Sequence, residues 1–281
     1  MGFEYYYCNF PSMEYNKNYL NEIIEHIKDK KSYSWIRIGD GELVFLQQEY
    51  VKSIEQIKKT VGWSNSNNYC GASVPNLELR DRLIEAIKNS NLVGVFQGDP
   101  DTMAAFKAID ISPKNICYAF DNVFLPMNAM FVNNVILKNK IYLVGSKSSF
   151  YAEKFKEILG IDVVGYSTIL SYADIDKVKN EMANKDYDVA LVSAGVNAKI
   201  ICYEMAQKEN KVFLDMGHAW DNAFHPPPQY KEYWLLPAYQ DKYYQPNEKV
   251  IYKDGLYQNS SNELINTVPT EDGRWILTEK L

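Results

Sequence analysis

In the run SWIRIGDGELVFL (residues 34–46), two carboxylates, Asp40 and Glu42, stand one residue apart between glycines, directly after an apolar stretch. On an extended or loop backbone, residues i and i+2 point to one side, whereas in a helix they diverge by about 200°. An extended reading therefore makes Asp40 and Glu42 converge. Converging like charges call for a cation between them, and a hard divalent ion with oxygen ligands, Mn2+ or Mg2+, is the natural occupant. Such an ion attracts a diphosphate, and Gly39 and Gly41 let the backbone approach that ligand closely. Arg37, just upstream, balances the carboxylates and joins the candidate donor-binding residues. A solvated turn accounts for the same residue types, because Gly and Asp are ordinary turn formers.

Two more polar loops follow apolar runs. In VGSKSSFYAEKF, the chain passes through Gly145, Ser146 and Lys147 into a helical period; backbone N–H groups, hydroxyls and one ammonium suit an anion there. The G-x-x-x-x-G-K-[ST] spacing of a P-loop is missing, and a plain serine cap explains the loop without a ligand. In LVSAGVNAKI, Ser193, Gly195 and Asn197 repeat the design, with Asn197 expected as the helix N-cap and Gly195 open to a phosphate or ribose. Neither loop carries a full G-x-G-x-x-G, which leaves a dinucleotide cofactor with little support. The stretch KVFLDMGHAWDNAFHPPP adds Asp215, His218, Asp221 and His225. His218 and Asp221 suit acid–base work, or an Asp orients a His; His218 also fits a plain structural histidine. The spacing of His218 and His225 matches no common metal signature.

The elements that must position these loops are legible as apolar runs: SWIRI, NLVGVF, NICYAF, KIYLVG, IDVVGY, YDVALVSA and KVFLDM. They are too uniformly apolar for strands with one wet face and read as buried parallel strands. Between them, Ala198, Ile201, Cys202 and Met205 keep the spacing of one helix face, as do Tyr151, Phe155, Ile158 and Leu159. Alternating strands and helices predict an α/β fold with a doubly wound, mostly parallel sheet of Rossmann-like type, its ligands at the carboxyl ends of the strands. The predicted α/β domain covers residues 1–225. From Pro226 the sequence turns rich in Pro and Tyr, so residues 226–281 are expected to form an irregular extension packed on that domain. Trp220, Tyr230, Tyr233 and Trp234 either pack or offer stacking surfaces to a sugar or base.

Composition narrows the partners. A chain of 281 residues with 46% hydrophobic residues buries a large core, and a net charge of -6 argues against nucleic acid as partner. Four scattered cysteines without C-x-x-C spacing fit a reducing compartment. No basic leader, myristoylation signal or apolar run of transmembrane length is seen, so a soluble, cytoplasmic protein is expected, with an oligomer left open.

RIGDGE near the start and VALVSAGVNAKIICYEMAQKENKVFLDMGHAWDN in the last third together resemble the bacterial glycosyltransferases of the GT-D fold, from about Trp35 to about Asp221. Asp40, Gly41 and Glu42 match that family's Asp-x-Glu signature; Asp215, Gly217 and His218 match its later Asp-x-Gly-His motif. The family loop Gly-Pro-Thr-Ala is replaced here by Ala194-Gly195-Val196-Asn197-Ala198. The resemblance implies metal-dependent transfer of a sugar from a nucleoside-diphosphate sugar, a UDP-sugar first, to a glycan or glycoprotein acceptor. It implies Asp40 and Glu42 as ligands of manganese or magnesium; retention or inversion at the sugar is left open, and for an inverting reaction the candidate base is Asp221, then Asp215. Another nucleotide-binding α/β enzyme, such as a methyltransferase, and a non-catalytic carbohydrate-binding protein are the alternatives.

Overall fold

Each of the seven apolar runs supplies a strand in the computed structural model. It describes residues 19–224 apart from 96–98, 114 and 128, the strand 14–15, and four two-residue strands beyond residue 251. The rest of the 226–281 extension lies outside the described residues, with His225, Tyr230, Tyr233 and Trp234. The strands are β1 (Glu14–Tyr15), β2 (Tyr33–Arg37), β3 (Leu92–Val95), β4 (Asn115–Tyr118), β5 (Ile141–Gly145), β6 (Gly165–Ser167), β7 (Val189–Ser193) and β8 (Val212–Asp215). They form one sheet in the order β1-β4-β3-β2-β8-β7-β5-β6, every neighbouring pair parallel. β6 begins later than its apolar run, and only Gly165 and Tyr166 of that run join the edge of the sheet.

Helices cover both faces, which is why the strands lack a polar alternation. Along β7, Ala190 and Val192 enter one core while Val189 and Leu191 enter the other, the two-residue period of a pleated strand. The first face carries α2 (Asp40–Gln47), α3 (Ile54–Thr60), α4 (Leu77–Asn89), α5 (Pro100–Ile109), α9 (Ile175–Ala183) and α10 (Asn197–Ala206). The second carries α1 (Tyr19–Lys28), α6 (Asp121–Phe124), α7 (Ala129–Phe131), α8 (Ser148–Lys154) and α11 (Ala219–Phe224). On α8 and the wider turn that continues it, Tyr151 and Phe155 are buried and Ile158 and Leu159 partly so, as their spacing predicts. α10 goes further than its pattern: besides Ala198, Ile201, Cys202 and Met205, it buries Asn197, Lys199 and Ile200.

This winding places the site. β2 is followed by a helix on the first face, and its neighbour β8 by a helix on the second. The two connections part at the carboxyl ends of β2 and β8, the place where an open α/β sheet of this winding forms its ligand crevice. Among the described residues, no helix is long and apolar enough to cross a membrane.

Candidate functional site

The chain leaves β2 at Arg37 and enters α2 within three residues, with Gly39 as N-cap and Asp40 as the first helical residue. The extended backbone expected for RIGDGE is therefore corrected. Glu42 sits in the first turn of a helix and reaches back, its Oε2 accepting the Gly39 N–H at 2.7 Å. A carboxylate in this position satisfies a backbone donor that the helix itself leaves open. Asp40 is carried to another side of the helix, as residues i and i+2 must be, and lies exposed, its Oδ2 accepting the Tyr69 hydroxyl at 2.5 Å. That bond, ahead of burial, pushes the Tyr69 hydroxyl up to about 12. Tyr69 in turn packs on Trp63, ring centroids 4.4 Å apart.

Glu42 instead faces a lysine. Lys199, in the first turn of α10, places its Nζ 2.8 Å from Glu42 Oε1 and 2.9 Å from Asp215 Oδ2, and donates to the Gly195 carbonyl at 3.0 Å. Asp215 ends β8; its Oδ2 also accepts the Arg37 N–H at 3.1 Å and its Oδ1 the Gly217 N–H at 3.0 Å. Burial pushes the Glu42 carboxyl up, but Lys199, Arg37 and the Gly39 amide outweigh it and hold the group below its usual value. For Lys199 burial pushes down, and the charges of Asp215 and Glu42 outweigh it and hold the ammonium above its usual value. The three groups form a closed, hydrogen-bonded floor beneath the crevice. Asp215, expected as a candidate base, is corrected to a hub that ties β2, β8 and α10 together, with both oxygens engaged. The period of α10 marked apolar residues only and did not reveal Lys199; a lysine inside a helix buried all round was the available signal, since such a charge demands carboxylates.

Arg37 lies over this floor. Its guanidinium rests on the Phe120 ring, 5.4 Å from the centroid, and its Nε and Nη1 are buried without a hydrogen-bond partner. Gly39 and Gly217 are needed here by proximity. A Cβ on Gly39 would stand 2.9 Å from Arg37 Nη2, and one on Gly217, whose φ is +52°, 3.0 Å from Nη1. Asn122, absent from the sequence reading, donates to the Asp215 carbonyl at 2.9 Å and leaves its own buried Oδ1 unpartnered. Ser193 Oγ and Asn197 Oδ1 are likewise buried and unpartnered. Asn197 is not the cap of α10: Val196 holds that position, and the Asn197 amide donates to the Gly71 carbonyl at 3.1 Å. Gly195 backs onto Cys70, so close that a Cβ would meet the Cys70 carbonyl. Gly41 likewise packs against the Cys70 side chain, which would lie 3.2 Å from an added Cβ.

The remaining expected residues line the rim. Gly145 pairs with Ser193 at the ends of β5 and β7, and Ser146 is exposed beside it. Lys147 reaches across to Asp221, Nζ to Oδ1 2.6 Å, and the Tyr151 hydroxyl bonds the same carboxylate. The GSKSS loop and α11 are thereby joined. His218 lies at the surface with its ring 6.2 Å from that of Phe120. Desolvation, then the Arg37 charge, lower its pKa against the opposing pull of Asp221 and Asp215. Of the two alternatives for Trp220, the structure shows packing and not a stacking surface: it is 1% exposed and stacked on Phe224.

The residues present do not fit a divalent ion chelated between Asp40 and Glu42. The two carboxylates diverge, both oxygens of Glu42 are taken by Lys199 and Gly39, and Asp40 is bonded to Tyr69. Among the described residues, no three His, Cys, Asp or Glu side chains are grouped to hold a metal.

A family model described as a GT-D fold-like domain matches residues 15–223. A solved structure described as a highly conserved domain of unknown function with a distinct glycosyltransferase fold aligns with a TM-score of 0.46 and 14% identity, covering 74% of this chain and 78% of that one. No curated protein matches the chain.

Proposed function

Because the chain belongs to the GT-D-like family, we propose that it transfers a sugar from a nucleoside-diphosphate sugar, with UDP-sugars as first candidates, to a hydroxyl of a glycan or glycoprotein acceptor. The observation that carries this reading is Arg37, whose Nε and Nη1 are buried and unpartnered between Gly39 and Gly217 at the mouth of the crevice. Buried donors left unsatisfied cost free energy, and an oxyanion offsets that cost. A planar guanidinium suits the paired oxygens of a phosphate, and its charge strengthens those bonds. Transfer of the glycosyl group builds negative charge on the departing diphosphate, so an oriented cation at that end lowers the barrier. Gly145, Ser146, Lys147, Ser193, Gly195 and Asn197 border the same strand ends and complete the donor side.

On the acceptor side, His218 is the base that this geometry favours. It stands at the surface and is held neutral at pH 7 by its lowered pKa, whereas Asp221 is engaged by Lys147 and Tyr151. The manganese or magnesium expected from the Asp-x-Glu resemblance is not carried into this reading, because Glu42 is closed off.

Thermal unfolding in the presence of UDP, S-adenosylmethionine and NAD tests the assignment, since only a ligand that binds the native state raises its stability. UDP is expected to stabilise the protein, and Arg37→Lys to weaken UDP binding by about 10- to 100-fold in calorimetry. Stabilisation by S-adenosylmethionine and not by UDP, or no response to any nucleoside diphosphate, would overturn it.

A further inference from the structure

The floor of the crevice already contains a cation. Around Lys199 Nζ stand three oxygens: Glu42 Oε1 at 2.8 Å, Asp215 Oδ2 at 2.9 Å and the Gly195 carbonyl at 3.0 Å. Two carboxylates and a carbonyl form the donor set of a hard divalent ion, which would draw them in to roughly 2.0–2.6 Å. An ammonium has three N–H donors, and the three oxygens match them one for one. The side chain is 2% exposed, so water does not compete. With Arg37 added, the two carboxylates and two cations balance. A divalent ion entering this floor would bring two uncompensated charges into a buried place, at a large desolvation cost. Asp40 lies outside the floor and is turned to Tyr69.

We propose that the Lys199 ammonium is a built-in substitute for a divalent ion at the donor end, so that the native cluster takes no metal and donor binding needs none. The part concerning the donor rests on the nucleotide-sugar reading; the part concerning the metal does not. Removing the ammonium leaves two carboxylates and a carbonyl around a hole of cation size, where the like charges repel until an ion enters.

The test is a titration of manganese alone, and of calcium alone, into the full chain after EDTA treatment. It is read by thermal unfolding and by the electron paramagnetic resonance signal of free manganese. The wild-type protein is expected to leave the manganese signal undiminished and its melting temperature unmoved. Lys199→Ala is expected to melt lower in EDTA and to gain roughly 4 °C or more with either ion, by mass action on the native state. Saturable manganese binding by the wild-type chain, abolished in Asp40→Asn or Glu42→Gln, would overturn the proposal. Should Lys199→Ala fail to fold, the wild-type resonance titration decides alone. For the donor, UDP affinity of the wild-type chain is expected to agree within about threefold between EDTA and manganese buffers, and a gain of about 10-fold or more with manganese would overturn it. Absence of UDP binding in both buffers would count against the nucleotide-sugar reading, while the manganese titration would still decide the role of Lys199.

Discussion

At the floor of the crevice, Lys199 faces Glu42 and Asp215 with side chains 2%, 5% and 0% exposed; at the rim, Lys147 faces Asp221 with 57% and 38% exposed. The chemical groups are the same. At the floor, water cannot replace a lost partner, so each charge depends on the others and the cluster keeps one arrangement. At the rim, solvent screens the pair, and its contribution to stability is correspondingly small. The floor is built to hold strands in register, and the rim pair is not.

The sharpest way to break this contrast is to remove the floor's cation. Lys199→Met is expected to cost about 3–5 kcal/mol, because it leaves two buried carboxylates facing each other. Urea unfolding measures this, and a loss near that of a surface pair would erase the distinction. Asp121 offers a second probe: it is as buried as Glu42 but faces the Tyr118 amide rather than an ammonium. Burial, opposed by that amide, pushes its carboxyl up to about 8. The folded pKa lies above the unfolded one, so stability is greatest below about pH 4 as far as this group is concerned and declines as pH rises toward 8, by about 1.4 kcal/mol per pH unit. Asp121→Asn should abolish that slope in urea titrations run at several pH values.

At the rim, the effects are expected in the rate. With His218 as base, transfer falls as pH drops through its lowered pKa, because an imidazolium cannot accept a proton. His218→Gln should reduce the rate by on the order of 100-fold and remove that acid limb from the pH profile. An unchanged profile would return the role to Asp221. The smallest effect is reserved for the rim ion pair itself: Lys147→Met should alter stability by no more than about 1 kcal/mol, less at high salt, in denaturation curves at two ionic strengths.

The seven main strands were legible in the sequence because a strand buried on both faces must be apolar throughout, as Val189 to Val192 and Ile141 to Val144 are. Hydrophobicity also located the ends of those strands, and with them Arg37, Gly39, Glu42, Asp215 and Gly217. It could not show which strands become neighbours. Lys199 and Asn122 join the site only because β2 lies beside β8, a pairing that no local pattern encodes. The orientation of Asp40 and Glu42 escaped for a different reason: it turns on where a helix begins, and a start within three residues of the strand sends two acidic side chains at i and i+2 to different duties. α10 hides the charged Lys199 among apolar neighbours at Ala198, Ile200 and Ile201.

The bond from the Arg37 N–H to Asp215 Oδ2 spans 178 residues. During synthesis, at about 5–20 residues per second, Arg37 and Glu42 therefore leave the ribosome on the order of ten to forty seconds before the carboxylate that completes their surroundings. A nascent chain that stops short of Val212 has β2 without its neighbour, Lys199 without one of its two counter-charges, and no crevice. The buried charges of the floor are therefore closed only with the last central strand, and until then Glu42 and Lys199 remain open to water.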